Sequence, residues 1–196
     1  MSAVLPHPGS HAHDDHHAQP HGWRRWLFAT NHKDIGTMYL LFSFTMLMVG
    51  GVLAMLIRAE LFRPGLQFVN PELFNQFTTM HGLIMVFGAI MPAFVGFANW
   101  MLPLQLGASD MAFARMNNLS FWLLIPAAIM LAGSFFMPGG APAAGWTIYA
   151  PLTMQMGPSM DAAIFALHIM GASSIMGSIN IIVTILNMRA PGMTLM

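Results

Sequence analysis

Residues 35–57, IGTMYLLFSFTMLMVGGVLAMLI, contain no charged residue and no histidine, and they decide the fold of this chain. A transmembrane helix needs roughly 20 consecutive, mainly apolar residues, and this stretch supplies them. In hydrocarbon every backbone N–H and C=O group must find its partner within the protein, which makes the α-helix the expected form. The stretch is therefore predicted to be a membrane-spanning helix.

Three later stretches have the same character, so the sequence predicts four transmembrane helices, at about residues 35–58, 73–104, 118–137 and 161–188. Ser159 and Asp161 are predicted to cap the last one. Of the 196 residues, 56% are hydrophobic and only 7% are charged. Soluble domains carry about a quarter charged residues, so the composition indicates an all-α membrane protein. The chain has no cysteine, which excludes disulfides and thiolate metal sites.

The basic residues predict the orientation of the helices. Only Arg58 and Arg63 lie on the outer side if the N-terminus is cytoplasmic, as the positive-inside rule expects. The chain is thus predicted to be a multi-pass protein of the inner (plasma) membrane with a cytoplasmic N-terminus. Its formal net charge of zero gives no reason to expect a nucleic-acid partner. The basic residues on the cytoplasmic side are Arg24, Arg25, Lys33, Arg115 and Arg189.

Residues 1–22 form a separate segment rich in His, Pro and Asp. They lack the apolar side chains needed to pack, so they are predicted to be a disordered cytoplasmic tail. Clustered imidazoles are candidate ligands for a transition metal, although irregular His-rich tails are more often only solvated. The imidazoles of the tail are those of His7, His11, His13, His16, His17 and His21.

Two histidines, His81 and His168, lie within predicted spanning helices, each about two turns from the outer end. Ionisable groups inside a membrane are costly and mark functional sites. Neutral imidazole is an axial ligand for heme iron, and Gly82 and Gly88 leave room for a flat macrocycle or a close-packed neighbour. Spacing alone leaves open whether His81 binds heme or is hydrogen-bonded between helices. The position of Arg58 favours a role as an interface anchor over pairing with a heme substituent.

A second group of polar residues lies toward the cytoplasmic side, where Asp110 follows the second helix. Amides and hydroxyls at such depths hold files of water that a surface carboxylate supplies with protons, but they also form ordinary interhelical hydrogen bonds. Taken alone, the pattern favours the second explanation. The amides and hydroxyls are those of Asn99, Asn117, Asn118, Ser120, Ser173, Ser174 and Asn180.

From about Trp26 to Met196 the chain resembles the opening third of cytochrome c oxidase subunit I, of the heme-copper terminal oxidase family. The resemblance implies that residues 23–196 are the N-terminal region, with four of the helices, of a twelve-helix bundle. It is carried by six stretches: NHKDIGTMYLLF (31–42), LIRAEL (56–61), TMHGLIMVF (79–87), NWMLPLQLGASDMAFARMNNLSFWLL (99–124), GWTIYAPL (145–152) and GASSIMGSINIIVTILNMRAPGM (171–193).

The resemblance also implies roles for individual residues. His81 matches the axial iron ligand of low-spin heme a, and Arg58 matches the arginine that hydrogen-bonds the heme a formyl group. Asp110 matches the entrance of the D proton channel, whereas Glu60 matches a residue near a peripheral calcium or sodium site. His168 matches no iron ligand. The residues that match the lining of the channel are Tyr39, Asn99, Asn117, Asn118, Ser120, Ser173, Ser174 and Asn180.

For the complete protein the resemblance implies transfer of electrons from cytochrome c through heme a to a heme a3–copper centre, where oxygen becomes water and protons are pumped. The ligands of heme a3 and copper B, and the second ligand of heme a, belong to later helices of the family's bundle. This chain is expected to supply one heme a ligand and the channel entrance, and to be inactive alone. Expected partners are oxidase subunits II and III, cytochrome c bound through subunit II, and membrane lipid.

Three other hypotheses remain. Quinol-oxidising relatives carry an Arg/Asp pair in the first helix, which residues 35–57 lack. A self-contained four-helix b-type cytochrome would hold one heme between His81 and His168. A metal-handling membrane protein would use the His-rich tail together with Met154, Met156 and Met160 as copper(I) ligands. The last two hypotheses do not explain the long motifs.

Overall fold

The computed structural model describes residues 22–155 and 157–194, so the histidines of the tail and Met156 lie outside the described part of the chain. Regular structure in that part is helical, without any strand. The helices are α1 (Trp23–Leu27), α2 (His32–Glu60), α3 (Pro71–Leu83), α4 (Met91–Leu106), α5 (Ala114–Gly133) and α6 (Pro158–Asn187). A π-helical segment, Ile84–Ile90, joins α3 and α4 into one continuous helix.

Four helices of the described chain are long and apolar enough to cross a membrane, which confirms the predicted fold class. They run alternately in opposite directions through the bundle. At one end, which we call the proximal end, α2 and α5 begin and α4 and α6 stop. The backbone N–H of Ala190 donates to the carbonyl of Leu106 at 2.9 Å and ties two chain segments together there. The spanning helices are His32–Glu60, Pro71–Leu106, Ala114–Phe136 and Pro158–Asn187.

Local capping chemistry sets the helix starts. The side chains of Asn31 and Asn70 accept hydrogen bonds from the first turns of α2 and α3, at 2.8 and 2.7 Å. The prediction that Ser159 and Asp161 cap α6 is wrong, because that helix begins at Pro158 with Gly157 as its N-cap. Proline is favoured at the first helical position, since its missing N–H would have no partner there anyway. The carboxylate of Asp161 instead lies in the first turn, where it complements the helix dipole.

The second spanning helix widens into its π-helical segment just before Pro92. Proline removes a backbone N–H from the ladder, and spanning helices satisfy the freed groups through neighbouring side chains and local π turns. Within this segment the hydroxyl of Ser43 on α2 donates to the carbonyl of Ala89 at 2.7 Å. The irregular turn is therefore held from outside by α2.

Glycines allow α2 to pack closely along the second spanning helix. A Cβ atom added at Gly36 would lie 2.8 Å from Cδ1 of Trp100 and 3.0 Å from the carbonyl oxygen of Gly96. A Cβ atom at Gly96 would lie 3.0 Å from Cγ of Leu40. Small residues serve this purpose in membranes, where van der Waals packing drives helix association. The helices α5 and α6 also pack against each other over much of their length.

The short helix α1 docks on the proximal end. The guanidinium of Arg25 donates from Nε and Nη2 to both carboxylate oxygens of Asp34, at 2.9 and 2.7 Å. These hydrogen bonds, together with the negative charge of Asp34, hold the pKa of the Arg25 guanidinium above its ordinary value. Asn118 on α5 adds a second tie, because its Nδ2 donates to the carbonyl of Leu27 at 2.9 Å. Both ties fix α1 against the spanning helices, while Trp23 remains exposed.

Replacing Gly36 with alanine is expected to destabilise the bundle by about 1–3 kcal/mol, because overpacking forces neighbours to move. Thermal unfolding of the purified protein in detergent measures the effect. Gly133→Ala is the matched control, since nothing lies within 4 Å of a Cβ atom at that position. Equal unfolding temperatures for G36A and the unaltered protein would contradict the close approach of the two helices.

Candidate functional site

A row of buried polar side chains begins at the proximal end, where the loop after α4 meets the start of α2. The carboxylate of Asp110 accepts hydrogen bonds from the backbone N–H groups of His32, at 3.1 Å, and Met111, at 2.7 Å, both to Oδ1. A polar cavity of about 300 Å³ opens beside it and is lined by Asn31, His32 and Asp110, among others. Asp110 is half-buried, so this carboxylate stands between the cavity and the interior.

The row continues inward through two amides. The ring Nδ1 of His32 donates to the backbone carbonyl of Asn99 at 2.8 Å. The Nδ2 group of Asn117 donates to Oδ1 of Asn99, which joins α4 to α5. Asn99 and Asn117 are buried, and the Oδ1 atom of Asn117 has no partner in the described structure. Burying polar groups costs free energy unless they are hydrogen-bonded, so an orphan oxygen here marks a place for water.

Hydroxyl groups carry the row further toward the middle of the bundle. The Tyr39 hydroxyl donates to Oγ of Ser120 at 2.7 Å, and Ser120 donates to the carbonyl of Asn117 at 2.7 Å. Ser173 on α6 donates to the carbonyl of Ser120 at 2.6 Å. Edge-on packing of the Tyr39 ring against Phe121, with centroids 5.3 Å apart, holds the phenol in place. Side chains from α2, α5 and α6 therefore meet at Ser120.

The row ends at a small cavity of about 70 Å³. Tyr39, Ser173 and Ser174 form its polar side, and apolar side chains such as Leu124 and Met170 form the rest. A water molecule needs about 10–15 Å³ of such space, so the cavity is large enough for several. The polar row thus connects an open polar mouth with a mostly apolar chamber.

Two of the predicted channel residues lie beside the row and shape its surroundings. Asn180 accepts from the backbone N–H of Phe113 at 2.8 Å and so holds the loop between α4 and α5. Asn118 is directed toward α1 through its bond to Leu27. Thr184 supports the same loop, because its Oγ1 accepts from the N–H of Ala112 at 3.0 Å.

Sequence reasoning missed His32, which contacts both Asp110 and Asn99. His32 is the first residue of α2, directly after the N-cap Asn31. The only signal in the sequence is the placement of an ionisable ring at the first position of a spanning helix.

His81 forms a separate candidate site nearer the end of the bundle opposite the proximal end. Its ring Nδ1 donates to the carbonyl of Gly50 on α2 at 2.9 Å, which leaves the Nε2 lone pair free. Histidine ligands of metals almost always donate their other ring nitrogen in this way, so the donor set fits an axial heme ligand. A Cβ atom at the adjacent Gly51 would meet no atom within 4 Å, which leaves space along α2. Arg58 lies further along α2 and is exposed.

The long loop between α5 and α6 covers the helix that carries His81. Gln76 on α3 donates to the carbonyl of Gly139 and accepts from the N–H of Ala141, both at 3.2 Å. The Trp146 side chain packs directly on Gly82, where an added Cβ would lie 2.7 Å from Cβ of Trp146. The glycine next to His81 is therefore needed for loop packing, one of the two uses predicted from the sequence.

The structure does not bring His81 and His168 together. His168 is exposed, and its Nδ1 donates to the carbonyl of Ile164 on its own helix at 2.8 Å. It lines a groove of about 610 Å³ that His81 does not line. Met160 is buried whereas Met154 is largely exposed, so these two methionines of the predicted copper cluster do not share an environment.

Glu60 organises the loop between α2 and α3. Its carboxylate accepts three backbone hydrogen bonds, from Gln67 at 2.7 Å, Phe68 at 3.0 Å and Val69 at 3.1 Å. Among the described residues no group of three or more His, Cys, Asp or Glu side chains is placed to hold a metal ion. A cation beside Glu60 would therefore take most of its ligands from other oxygens, such as those of the main chain.

Comparison of the sequence with a family profile and with individual relatives gives the same family in each case. The sequence profile of one family, cytochrome c and quinol oxidase polypeptide I, matches residues 34–196. The chain is 48% identical over 174 residues to the probable cytochrome c oxidase subunit 1-alpha of Streptomyces avermitilis, and the match covers 87% of this chain and 30% of that protein. It is also 48% identical to cytochrome c oxidase subunit 1 of Yarrowia lipolytica, over 87% of this chain and 33% of that protein. The chain thus spans about a third of the length of these curated relatives.

Replacing Ser120 with alanine is expected to destabilise the protein by about 1–3 kcal/mol, because the buried Tyr39 hydroxyl loses its acceptor. The double variant Y39F/S120A removes both partners and should recover part of that loss. Ser178→Ala serves as control, since Ser178 is exposed on α6. Unfolding in detergent measures all three, and an S120A value equal to that of S178A would contradict the hydroxyl row.

Proposed function

The chain belongs to the cytochrome c and quinol oxidase polypeptide I family, and from that membership we propose that it is part of the catalytic subunit of a respiratory terminal oxidase. In the complete enzyme, electrons from cytochrome c pass through heme a to a heme a3–copper centre, where oxygen is reduced to water and protons are pumped. This chain supplies one heme a ligand and a proton entrance. The ligands of heme a3 and copper B lie on helices outside it, so the chain alone does not reduce oxygen.

The observation that carries the proposal is the row of buried polar groups between Asp110 and the cavity beside Ser174. Burying so many amides and hydroxyls costs free energy that apolar packing of the same helices would not. The hydrogen bonds along the row offset part of that cost, and the same bonds orient each group toward a neighbouring hydroxyl, amide or water, as a proton path requires. Asp110 collects protons at the mouth. The backbone N–H of His32 holds this carboxylate, and the His32 ring joins it to Asn99 further inward. Tyr39, Ser120 and Ser173 continue the path toward the cavity.

His81 is proposed to bind the iron of heme a through Nε2. When bound, heme a supplies a centre that accepts and donates single electrons. The bond from Nδ1 to the Gly50 carbonyl fixes the ring orientation and makes the imidazole a stronger donor. Arg58 is proposed to hydrogen-bond the heme a formyl group, since the bidentate guanidinium suits a fixed oxygen acceptor. A peripheral calcium or sodium ion beside Glu60, completed by main-chain oxygens, is part of the same proposal.

The proposed orientation places the proximal end in the cytoplasm. Lys33, Arg115 and Arg189 lie at that end, as the positive-inside rule requires. Protons then enter from the cytoplasm at Asp110, while His81 lies toward the outer face. Subunits II and III, cytochrome c docked through subunit II, and lipid are the proposed partners, and the inner (plasma) membrane is the proposed location.

The alternatives are less well supported. A b-type cytochrome with His81 and His168 as paired ligands requires both rings to face one heme, whereas they face different partners. A quinol oxidase belongs to the same family description, but residues 35–57 carry no charged pair. The relatives named above are cytochrome c oxidases, which favours cytochrome c as the electron donor.

Replacing His81 with alanine is expected to abolish the low-spin heme a absorption of the assembled oxidase, because the iron loses an axial ligand. His168→Ala is the matched control and should leave the spectrum unchanged. Visible spectra of the purified complex, reduced minus oxidised, measure both. A normal low-spin signal in H81A would refute the ligand assignment, and its loss in both variants would favour the paired-ligand cytochrome.

Replacing Asp110 with asparagine is expected to reduce proton uptake from the proximal side to a small fraction of the normal rate, because the amide cannot collect protons at neutral pH. Asp161→Asn is the control, since that carboxylate is exposed at the opposite end. Proton uptake by oxidase vesicles during turnover is followed with a pH-sensitive dye. Normal uptake in D110N would contradict the entrance assignment.

A further inference from the structure

The cavity at the end of the polar row has one lining side chain that stands out by its position. Met170 lies on α6, three and four residues before Ser173 and Ser174, so all three share one face of that helix. Its side chain is 4% exposed and lines the same 70 Å³ cavity as Tyr39 and Ser174. A large, flexible apolar side chain thus adjoins the last hydroxyls of the row.

The hydroxyls at this point are able to receive water. Ser173 is engaged with the Ser120 carbonyl, whereas the Ser174 hydroxyl makes no hydrogen bond to any other described residue. A buried water needs two to four polar partners, and Ser174 and Tyr39 supply two of them. The rest of the wall, including Leu124 and Val95, is apolar and offers none. How far water extends past the serines therefore depends on the volume that the apolar side chains leave.

Methionine is suited to control that volume. Its unbranched side chain has three rotatable bonds and adapts to irregular spaces, and its thioether is only a weak acceptor. Apolar constrictions in membrane proteins regulate passage by excluding water from a short length of the path. A change of rotamer at Met170 alters the free space directly beside Ser174 without moving the backbone.

We propose that Met170 is a hydrophobic gate that limits the water content of the cavity and so sets the rate at which protons leave the polar row. This inference rests on the proposed function, in which the row conducts protons. It assigns to Met170 a positioning role for water, distinct from the hydrogen-bonding roles of Tyr39 and Ser173.

The test compares Met170→Ser and Met170→Phe in the assembled oxidase. M170S removes bulk and adds a hydroxyl, so proton uptake should become severalfold faster. M170F fills the space with a rigid apolar ring, so uptake should become severalfold slower. Met176→Ser is the matched control, because Met176 lies on the same helix but does not line the cavity. Proton uptake is timed after mixing the reduced enzyme with oxygen, and heme content is measured in each preparation.

Opposite effects of the two variants at normal heme content support the gate, since a merely structural methionine would make both variants slower. Uptake at the normal rate in M170S and M170F, with D110N slow, overturns the gate and leaves the proton path standing. Normal uptake in D110N removes the path itself and the gate with it. Additional ordered water next to Ser174 in a density map of M170S is the expected structural result, and the absence of added water there contradicts the proposal.

Discussion

The structure depends on one constraint, which is that polar groups inside a membrane bundle must form their hydrogen bonds within the protein or to enclosed water. The helical fold provides hydrogen bonds for most backbone groups. The remaining polar groups form hydrogen bonds between helices through side chains. Ser43 supports the carbonyl of Ala89 in the widened turn, and Ser173 supports the carbonyl of Ser120 between α5 and α6. Polar residues therefore specify which helices are neighbours, while apolar residues supply the bulk of the contact.

Close approach of the helices makes those polar contacts reachable. The glycines at 36 and 96 let α2 and α4 lie near enough for the His32 ring to reach the Asn99 carbonyl. The same proximity lets the phenol of Tyr39 cross to Ser120 on α5. Small residues and buried polar residues thus act together, because a hydrogen bond between helices requires a short distance between their backbones.

The sequence predicted the fold well because an uncharged run such as residues 35–57 has only one stable form in lipid. The helix ends differed by up to about a turn, since they depend on local capping, as at Asn70 and Pro158. Most side chains of the polar row were predicted from the sequence, but His32 and the hydrogen-bond partners within the row were not. His32 lies 78 positions before Asp110, and Gly50 lies 31 positions before His81, and no spacing rule predicts contacts across such separations. The bond from Asn118 to Leu27 of α1, 91 positions away, was unpredictable for the same reason.

The π-helical segment sets the rotational phase of the second spanning helix. His81 and Asn99 are 18 positions apart, which is five complete turns of regular α-helix, so their side chains would leave a regular helix on the same side. The inserted widening turns one half of the helix relative to the other. The His81 ring donates to α2, whereas Asn99 lies against α2 through its Cβ and carbonyl and reaches α5 through its amide. One continuous helix therefore packs on α2 along both halves and also joins a second neighbour beyond the wide turn, at Asn99.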